Sequence, residues 1–144
     1  MSKVSMSTRI DASANQVWKV LSDFNGIPVF VDAFEKSTME GLGVGAVRSL
    51  TLKSGGPPIV EKLERIDELA KTLSYSIVTS PLPLKDYFST VEVIDLGSGQ
   101  CEVKWYSTFE PKDVPEAEAV KIVEGVYTGG FEGLKKLFGA KLLK

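Results

Sequence analysis

Apolar and polar residues alternate along most of this chain, a pattern typical of β-strands, because successive strand side chains point to opposite faces of a sheet. Turn-forming glycine, proline, serine and aspartate residues separate the alternating stretches. The short connections favour an antiparallel meander, since parallel strands need long crossovers. The seven predicted strands span residues 3–10, 36–40, 45–53, 59–67, 72–79, 86–95 and 100–110.

Two short helices are predicted between the first and second strands. Ser13, with a glutamine three residues later, forms a capping-box pattern that opens the first of them. Asn25-Gly26 predicts the end of that helix, and Pro28 predicts the start of a second one near residues 29–34.

A long C-terminal helix is predicted over about residues 113–140, where apolar residues recur on one face. Asp113, followed three residues later by a glutamate, predicts its N-terminal cap. Glycine inside a helix costs about 1 kcal/mol relative to alanine, and this helix contains Gly125, Gly129, Gly130 and Gly133. Two interpretations stay open: the missing side chains leave space for a ligand, or they let the helix pack closely on the sheet.

This order of elements predicts an α+β fold that forms one domain, residues 1–144. A curved, seven-stranded antiparallel sheet would wrap around the long C-terminal helix and bury its apolar face. A cavity between the sheet and the helix is then the natural place for a ligand.

The composition excludes several functional classes. The net charge of −2 gives no reason to expect binding to nucleic acid or to an anionic membrane, and no apolar run approaches the ~20 residues that span a bilayer. The chain has no histidine, which rules out Ser-His-Asp and Cys-His catalysis and argues against a zinc or iron site. We therefore expect no metal and no cofactor.

We interpret the single cysteine, Cys101, as a small buried apolar residue. The single cysteine and the absence of a signal-peptide pattern favour the cytoplasm.

Five polar side chains fall on strand faces that should point into the apolar interior: Lys36, Arg48, Glu61, Tyr87 and Ser89. Charged groups seldom occupy a core face unless they are paired or have a function. We interpret the five as the polar lining of a cavity that holds a small, mostly apolar molecule. The alternatives are an ion pair between Arg48 and Glu61, a Tyr87 hydroxyl bonded to backbone, and a solvated Lys36.

The order of elements resembles the START-like helix-grip (SRPBCC) superfamily, which includes polyketide cyclases and dehydrases, pollen-allergen-type proteins and lipid-transfer START domains. The motifs that resemble its abscisic-acid-receptor-like branch are Phe34-Glu35-Lys36-Ser37, the stretch from Arg48 to Ser54-Gly55-Gly56-Pro57, and Asp86-Tyr87-Phe88-Ser89. The resemblance implies that Lys36 binds a ligand carboxylate and that residues 54–57 form a mobile gate. It also implies that Glu61, Tyr87 and Ser89 hold the ligand through water.

Three departures from the receptors limit what the resemblance implies. The second loop, residues 80–84, lacks the receptors' His-Arg pair, Trp105 replaces an inward glutamate, and Gly133 replaces an asparagine. Hormone recognition and phosphatase docking are therefore not expected. What the resemblance implies is a gated, buried pocket with Lys36 at its polar end. From the residues themselves, we interpret the second loop, with apolar Leu82 and Pro83, as the other side of a lid; the alternative is two ordinary hairpin loops.

Two functions are compatible with these expectations. The first is binding of a small hydrophobic molecule, lipid, polyketide or isoprenoid-like, with a carboxylate or carbonyl head. The alternative is a cyclase, dehydratase or isomerase that acts on a polyketide-like substrate, with Glu61 as the general base. In that alternative Arg48, Lys36 or Tyr87 would stabilise an enolate oxygen. Neither function requires nucleic acid or membrane insertion, and a homodimer is compatible with both.

The same residues would serve either function. The predicted ligand-contacting residues are Lys36, Arg48, Leu50, Glu61, Leu63, Tyr75, Tyr87, Ser89, Trp105, Tyr127 and Gly130. The predicted gate residues are Ser54, Gly55, Gly56, Pro57, Leu82 and Pro83.

Overall fold

Seven strands pair in one antiparallel sheet. The structure, a computed structural model, describes residues 1–142, with side-chain surroundings through residue 138. The strands are β1 (Ser2–Ile10), β2 (Phe34–Glu40), β3 (Val47–Leu52), β4 (Ile59–Asp67), β5 (Thr72–Thr79), β6 (Leu84–Gly97) and β7 (Gln100–Pro111). They lie in the order β1-β7-β6-β5-β4-β3-β2, so that each strand from β2 onward pairs with its neighbour in sequence and β1 pairs with β7. The predicted antiparallel meander is confirmed.

Helix α1 (Ala14–Leu21) begins as the sequence pattern predicts. The Ser13 hydroxyl accepts a hydrogen bond from the Gln16 backbone N–H at 3.2 Å, and the Gln16 side chain accepts one from the Ser13 N–H at 3.1 Å. This capping box satisfies two of the N–H groups that a helix start leaves unpaired. The helix then buries Val17 and Trp18.

The second short helix lies earlier in the chain than predicted. It is a 3₁₀ helix over Phe24–Val29 rather than a helix near residues 29–34, and the Asn-Gly pair at 25–26 lies inside it. A 3₁₀ helix has three residues per turn, so Phe24 and Ile27 lie on the same side, and both are buried. Burial of these two apolar side chains explains why the tighter helix forms here.

The long helix α2 (Glu116–Leu142) packs against β1 and β7. It begins at Glu116 rather than at Asp113, because Asp113 has a φ of 60°, which does not match the extended backbone of an N-cap. The carbonyl oxygen of Pro115 accepts the hydrogen bond from the Ala119 N–H at 3.2 Å. The buried face of α2 comprises Ala119, Val123, Tyr127, Phe131, Leu134 and Phe138.

The apolar core fills the space between one face of the sheet and α2, and residues of α1 and the 3₁₀ helix belong to the same cluster. The predicted fold class is confirmed: an antiparallel sheet around a C-terminal helix, with two short helices between the first and second strands. Among the described residues, no helix is long and apolar enough to cross a membrane.

Candidate functional site

A buried ion pair joins β3 and β4 at one end of the interior. Arg48 and Glu61 are direct cross-strand partners, and they are only 4% and 6% exposed. Arg48 donates from Nε and Nη2 to Glu61 Oε1 at 2.8 and 2.6 Å, and from Nη1 to the Phe24 carbonyl oxygen at 2.7 Å. Its guanidinium also lies 3.9 Å from the centre of the Phe24 ring and 5.0 Å from that of the Tyr75 ring. The structure thus contains the ion pair, and all three guanidinium nitrogens of Arg48 have partners.

Glu61 keeps one carboxylate oxygen open. Both hydrogen bonds from Arg48 end on Oε1, and none within the described residues ends on Oε2. Burial raises the pKa of Glu61 above its ordinary value, although the charge of Arg48 acts in the opposite direction. Glu61 also lines a small inner cavity, where Oε2 is the carboxylate atom left to accept a hydrogen bond.

Buried hydroxyl groups form a hydrogen-bonded chain in the same interior. The hydroxyl oxygens of Tyr87 and Tyr127 lie 2.6 Å apart, and the Tyr127 hydroxyl lies 2.9 Å from Ser89 Oγ. Trp105 Nε1 donates to Ser89 Oγ at 3.0 Å and to the Tyr75 hydroxyl at 3.1 Å. Burial raises the pKa of Tyr75, Tyr87 and Tyr127, so these phenols stay protonated at neutral pH. They can therefore donate hydrogen bonds but cannot act as bases.

The inner cavity is small because aromatic rings fill most of the interior. The rings of Trp105 and Tyr127 stack with centroids 4.3 Å apart. The cavity has a volume of about 30 Å³, and its polar side chains come from Glu61, Tyr75, Tyr87 and Trp105. That is enough for an ordered water or a small polar group, and far below the roughly 300–1,000 Å³ of a typical ligand pocket. The large enclosed pocket expected from the sequence is therefore replaced, in the described part of the chain, by a packed aromatic interior.

A larger open groove adjoins the inner cavity. It has a volume of about 680 Å³ and is lined by residues 28–34, by α2 and by the facing ends of β3 and β4. Four apolar side chains line both spaces and so form the boundary between them: Phe34, Ile59, Leu82 and Val126.

The four glycines of α2 are of two kinds. A β-carbon added at Gly125 or Gly129 would meet no described atom within 4 Å, and both residues line the groove. At Gly130 the added carbon would lie 2.5 Å from a ring carbon of the β7 tryptophan, and at Gly133 it would lie 1.7 Å from the Phe30 carbonyl oxygen. Each of the two interpretations therefore applies to part of the helix. Gly125 and Gly129 leave open space, whereas Gly130 and Gly133 allow close packing.

The prediction that Lys36 points into the interior is wrong. The side chains of Glu35 and Lys36 are both exposed. A register shift between Phe34 and Lys36 in the pairing of β2 with β3 marks a β-bulge, which moves the following residues to the opposite face. Phe34 and Met39 consequently pack into the core, and Lys36 faces solvent.

Several other predicted contact residues do not line either space. Leu50 and Leu63 are buried in the packed core, away from the groove and the inner cavity. Gly130 makes room for the tryptophan ring rather than for a ligand. Ser89 and Tyr127 bond to side chains that line the inner cavity but do not line it themselves.

Sequence reasoning missed most of the residues at the boundary between groove and cavity. Phe34, Ile59 and Val126 have the pattern of ordinary core residues, and their position depends on how α2 meets the edge of the sheet. The glycines of α2 were the available signal, because a helix has no intrinsic reason to accumulate them.

The two predicted gate loops lie beside the groove. Residues 54–57 are exposed, and the two glycines among them have φ values of 87° and 86°, which other residues rarely adopt. Leu52 and Ile59, which flank that loop, line the groove, and so does Leu82 of the second loop. Both loops thus lie beside the groove, and a gating role for them stays a prediction.

Cys101 is expected to resist alkylation in the folded protein. It is fully buried on β7, and burial raises the pKa of its thiol to about 11, so little thiolate is present at neutral pH. Iodoacetamide should label it slowly in native buffer and quickly in concentrated urea, as followed by intact mass. Rapid labelling of the folded protein would contradict the packing of this strand.

The sheet wrapped around a C-terminal helix, with polar groups buried between them, defines a helix-grip domain. Residues 1–139 match the family described as polyketide cyclase / dehydrase and lipid transport, and the chain belongs to this family.

Solved structures similar to this chain include two that are 31% identical in sequence. The protein XoxI from Bacillus cereus has a TM-score of 0.90, covering 96% of this chain and 96% of its own. An uncharacterized protein from Bacillus thuringiensis has a TM-score of 0.89, covering 95% of this chain and 98% of its own. Norcoclaurine synthase from Thalictrum flavum, in complex with dopamine and hydroxybenzaldehyde, is 24% identical, with a TM-score of 0.72 over 94% of this chain and 85% of its own. That last likeness shows a shared fold alone.

Proposed function

We propose that this protein binds a small, mostly apolar molecule, whose body occupies the outer groove and whose polar head reaches the inner cavity. The observation that carries the proposal is that a groove of about 680 Å³ adjoins a cavity containing the buried Glu61 carboxylate. Burial of apolar ligand surface contributes roughly 25 cal/mol per Å². The buried polar groups would orient the head. Membership of a family described by lipid transport, among other activities, supports this class of ligand.

In this proposal the ligand head enters from the groove across the boundary between the two spaces, which opens to admit it. Of the four side chains that form it, Leu82 is only partly buried and lies on the loop between β5 and β6, whereas Phe34 and Ile59 are buried strand residues. Displacement of Leu82 is therefore the least costly route. In this proposal the loop that carries Leu82, together with residues 54–57, acts as the gate.

Filling the groove is expected to weaken binding of an apolar probe. In the Gly129→Leu variant the β-carbon would meet no described atom within 4 Å, the side chain would occupy part of the groove, and the helix would gain propensity. We expect its affinity for the uncharged fluorophore Nile red to fall about tenfold, a loss of about 1.4 kcal/mol. Fluorescence titration measures the change.

The matched control is Thr128→Leu, which adds a similar side chain at the neighbouring exposed position, outside the groove lining. It should leave the affinity for Nile red within about twofold, since free energies of sites without shared contacts are independent. Equal effects of the two variants, or no effect of Gly129→Leu, would place the probe elsewhere and contradict the proposal.

A second candidate function is that of a cyclase, dehydratase or isomerase that uses the same space. The open Oε2 of Glu61, together with a pKa raised by burial, favours this carboxylate as a general base. Lys36 faces solvent and Arg48 is occupied by Glu61 and Phe24, so Tyr87 is the remaining donor of the predicted set for an enolate oxygen.

Native mass spectrometry of protein purified from its host distinguishes the two functions. A carrier should retain a tightly bound small molecule unchanged, whereas an enzyme should convert it on prolonged incubation. Glu61→Gln should abolish conversion while largely preserving binding if the protein is an enzyme, and should change only affinity if it is a carrier.

We also propose a cytoplasmic location. The single cysteine is buried and cannot form an internal disulfide, so nothing in the fold depends on an oxidising compartment. Cell fractionation with an antibody against the protein tests this.

A further inference from the structure

We infer that the inner cavity is a subsite for a hydroxyl group, so that the bound molecule is an apolar alcohol or phenol rather than a carboxylic acid. The inference rests on the proposed function and names the head group that the ligand carries. Its starting observation is that Glu61 is 6% exposed, lines the cavity, and has an oxygen, Oε2, that accepts no hydrogen bond within the described residues. A carboxylate oxygen with free acceptor capacity, on a residue that borders the cavity, favours a ligand group that can donate to it.

The charges around the cavity select against an acidic head. Arg48 uses three of its five N–H donors on Glu61 and on the Phe24 carbonyl, so its charge is already paired and is not available to balance a ligand carboxylate. Lys36, the cation that the sequence suggested for this role, lies on the outer face of the sheet. A carboxylate entering the cavity would therefore meet the open oxygen of Glu61 without a compensating cation.

The second polar group of the cavity distinguishes a hydroxyl from an amine. The Tyr75 hydroxyl accepts from Trp105 Nε1 and has Ser89 as a second hydrogen-bonding neighbour, and its O–H can turn toward a ligand acceptor. A ligand hydroxyl can donate to Glu61 and accept from Tyr75 at the same time, whereas an ammonium group only donates and an aryl amine, with its lone pair delocalised into the ring, accepts poorly. The cavity thus pairs the Glu61 acceptor with the Tyr75 donor, which matches a hydroxyl, and the Tyr87 hydroxyl that also lines it is already bonded to Tyr127.

The size of the cavity gives the same result. A hydroxyl is one heavy atom and a carboxylate is three, so a cavity of about 30 Å³ accommodates the hydroxyl with less rearrangement. The carbon skeleton behind that atom would extend past Leu82 and Val126 into the groove.

Four probes that share one apolar body test the inference: naphthalene, β-naphthol, β-naphthylamine and β-naphthoic acid. Isothermal titration of the intact protein should show β-naphthol binding at least about tenfold more tightly than each of the other three, the ratio expected for a hydrogen bond to a charged group. Tyr75→Phe should reduce the preference for β-naphthol over naphthalene by about threefold, and Glu61→Gln should remove it. The amide of glutamine can also donate, so Glu61→Gln should bind β-naphthaldehyde more tightly than the parent protein does.

The matched control is Lys36→Gln, which changes an exposed residue on the outer face and should alter none of these ratios. Equal binding of β-naphthol and naphthalene would overturn the hydroxyl subsite and leave the proposed function standing. Tighter binding of the acid or the amine would overturn it in favour of that head group. A hydroxyl preference that survives both Glu61→Gln and Tyr75→Phe, with folding verified by circular dichroism, would also overturn it. Failure of every probe to bind would overturn the subsite and the proposed function together.

Discussion

Replacing Arg48 with methionine is expected to lower the free energy of unfolding by about 3–5 kcal/mol. Methionine has a similar length and no charge, so the substitution keeps an apolar contact with the Phe24 ring while removing the partner of Glu61. The carboxylate would then lie buried without a cation, and the Phe24 carbonyl would lose its donor. Equilibrium unfolding in urea, followed by circular dichroism, measures the loss.

The cost of this variant should also depend on pH. Burial already raises the pKa of Glu61, and removing Arg48 takes away the charge that opposes the rise. The folded variant would hold a proton that the unfolded chain has released, so this contribution to stability is present at acid pH and is lost as the pH rises through the folded-state pKa. The difference in stability between the variant and the parent protein should therefore be smaller at about pH 5 than at about pH 8.

A double variant, Arg48→Met with Glu61→Leu, separates the unpaired charge from the loss of packing. Replacing both partners with apolar side chains leaves no buried charge, so the double variant should regain most of the stability that the single variant loses. If the double variant is as unstable as Arg48→Met, then packing around the guanidinium, and not the unpaired carboxylate, carries the effect.

This ion pair also shows how much of the site the sequence could predict. The alternation of β3 and β4 places Arg48 and Glu61 on inward faces of adjacent strands joined by one short loop, and the register pairs them directly. The hydrogen-bonded chain of hydroxyl groups was partly predictable in the same way, since Tyr75 and Ser89 are cross-strand partners on β5 and β6. Period-two patterns predict such groups well because each strand repeats the signal over several residues.

The rest of the site depends on single structural features that no repeated sequence pattern marks. One bulge residue in β2 is enough to turn Lys36 outward, and no residue type there marks the bulge. The filling of the interior depends on the stacking of Trp105 on Tyr127, which joins β7 to α2 across a long separation in sequence. Away from the bulge in β2, the strand pattern therefore predicted which faces point inward, but not how much empty space remains between them.

The glycines of α2 illustrate the same limit. The sequence showed that four glycines in one helix require an explanation, but not which of them leave open space and which allow close packing. Gly133→Ala is expected to lower the free energy of unfolding by about 3 kcal/mol or more, although alanine is the better helix former. The new β-carbon would lie 1.7 Å from the Phe30 carbonyl oxygen and 2.6 Å from its carbonyl carbon. Backbone cannot rotate away as a side chain can, so either α2 or the segment around Phe30 must move.

Gly125→Ala provides the matched control in the same helix. The added carbon would meet no described atom within 4 Å, so the substitution should raise stability by up to about 1 kcal/mol through helix propensity alone. Urea unfolding of the two variants should thus give changes of opposite sign from one chemical substitution, made two turns apart. If both variants are stabilised, then α2 does not approach Phe30 as closely as the structure shows, and the wall that Phe30 and Gly133 contribute to the groove must be more open.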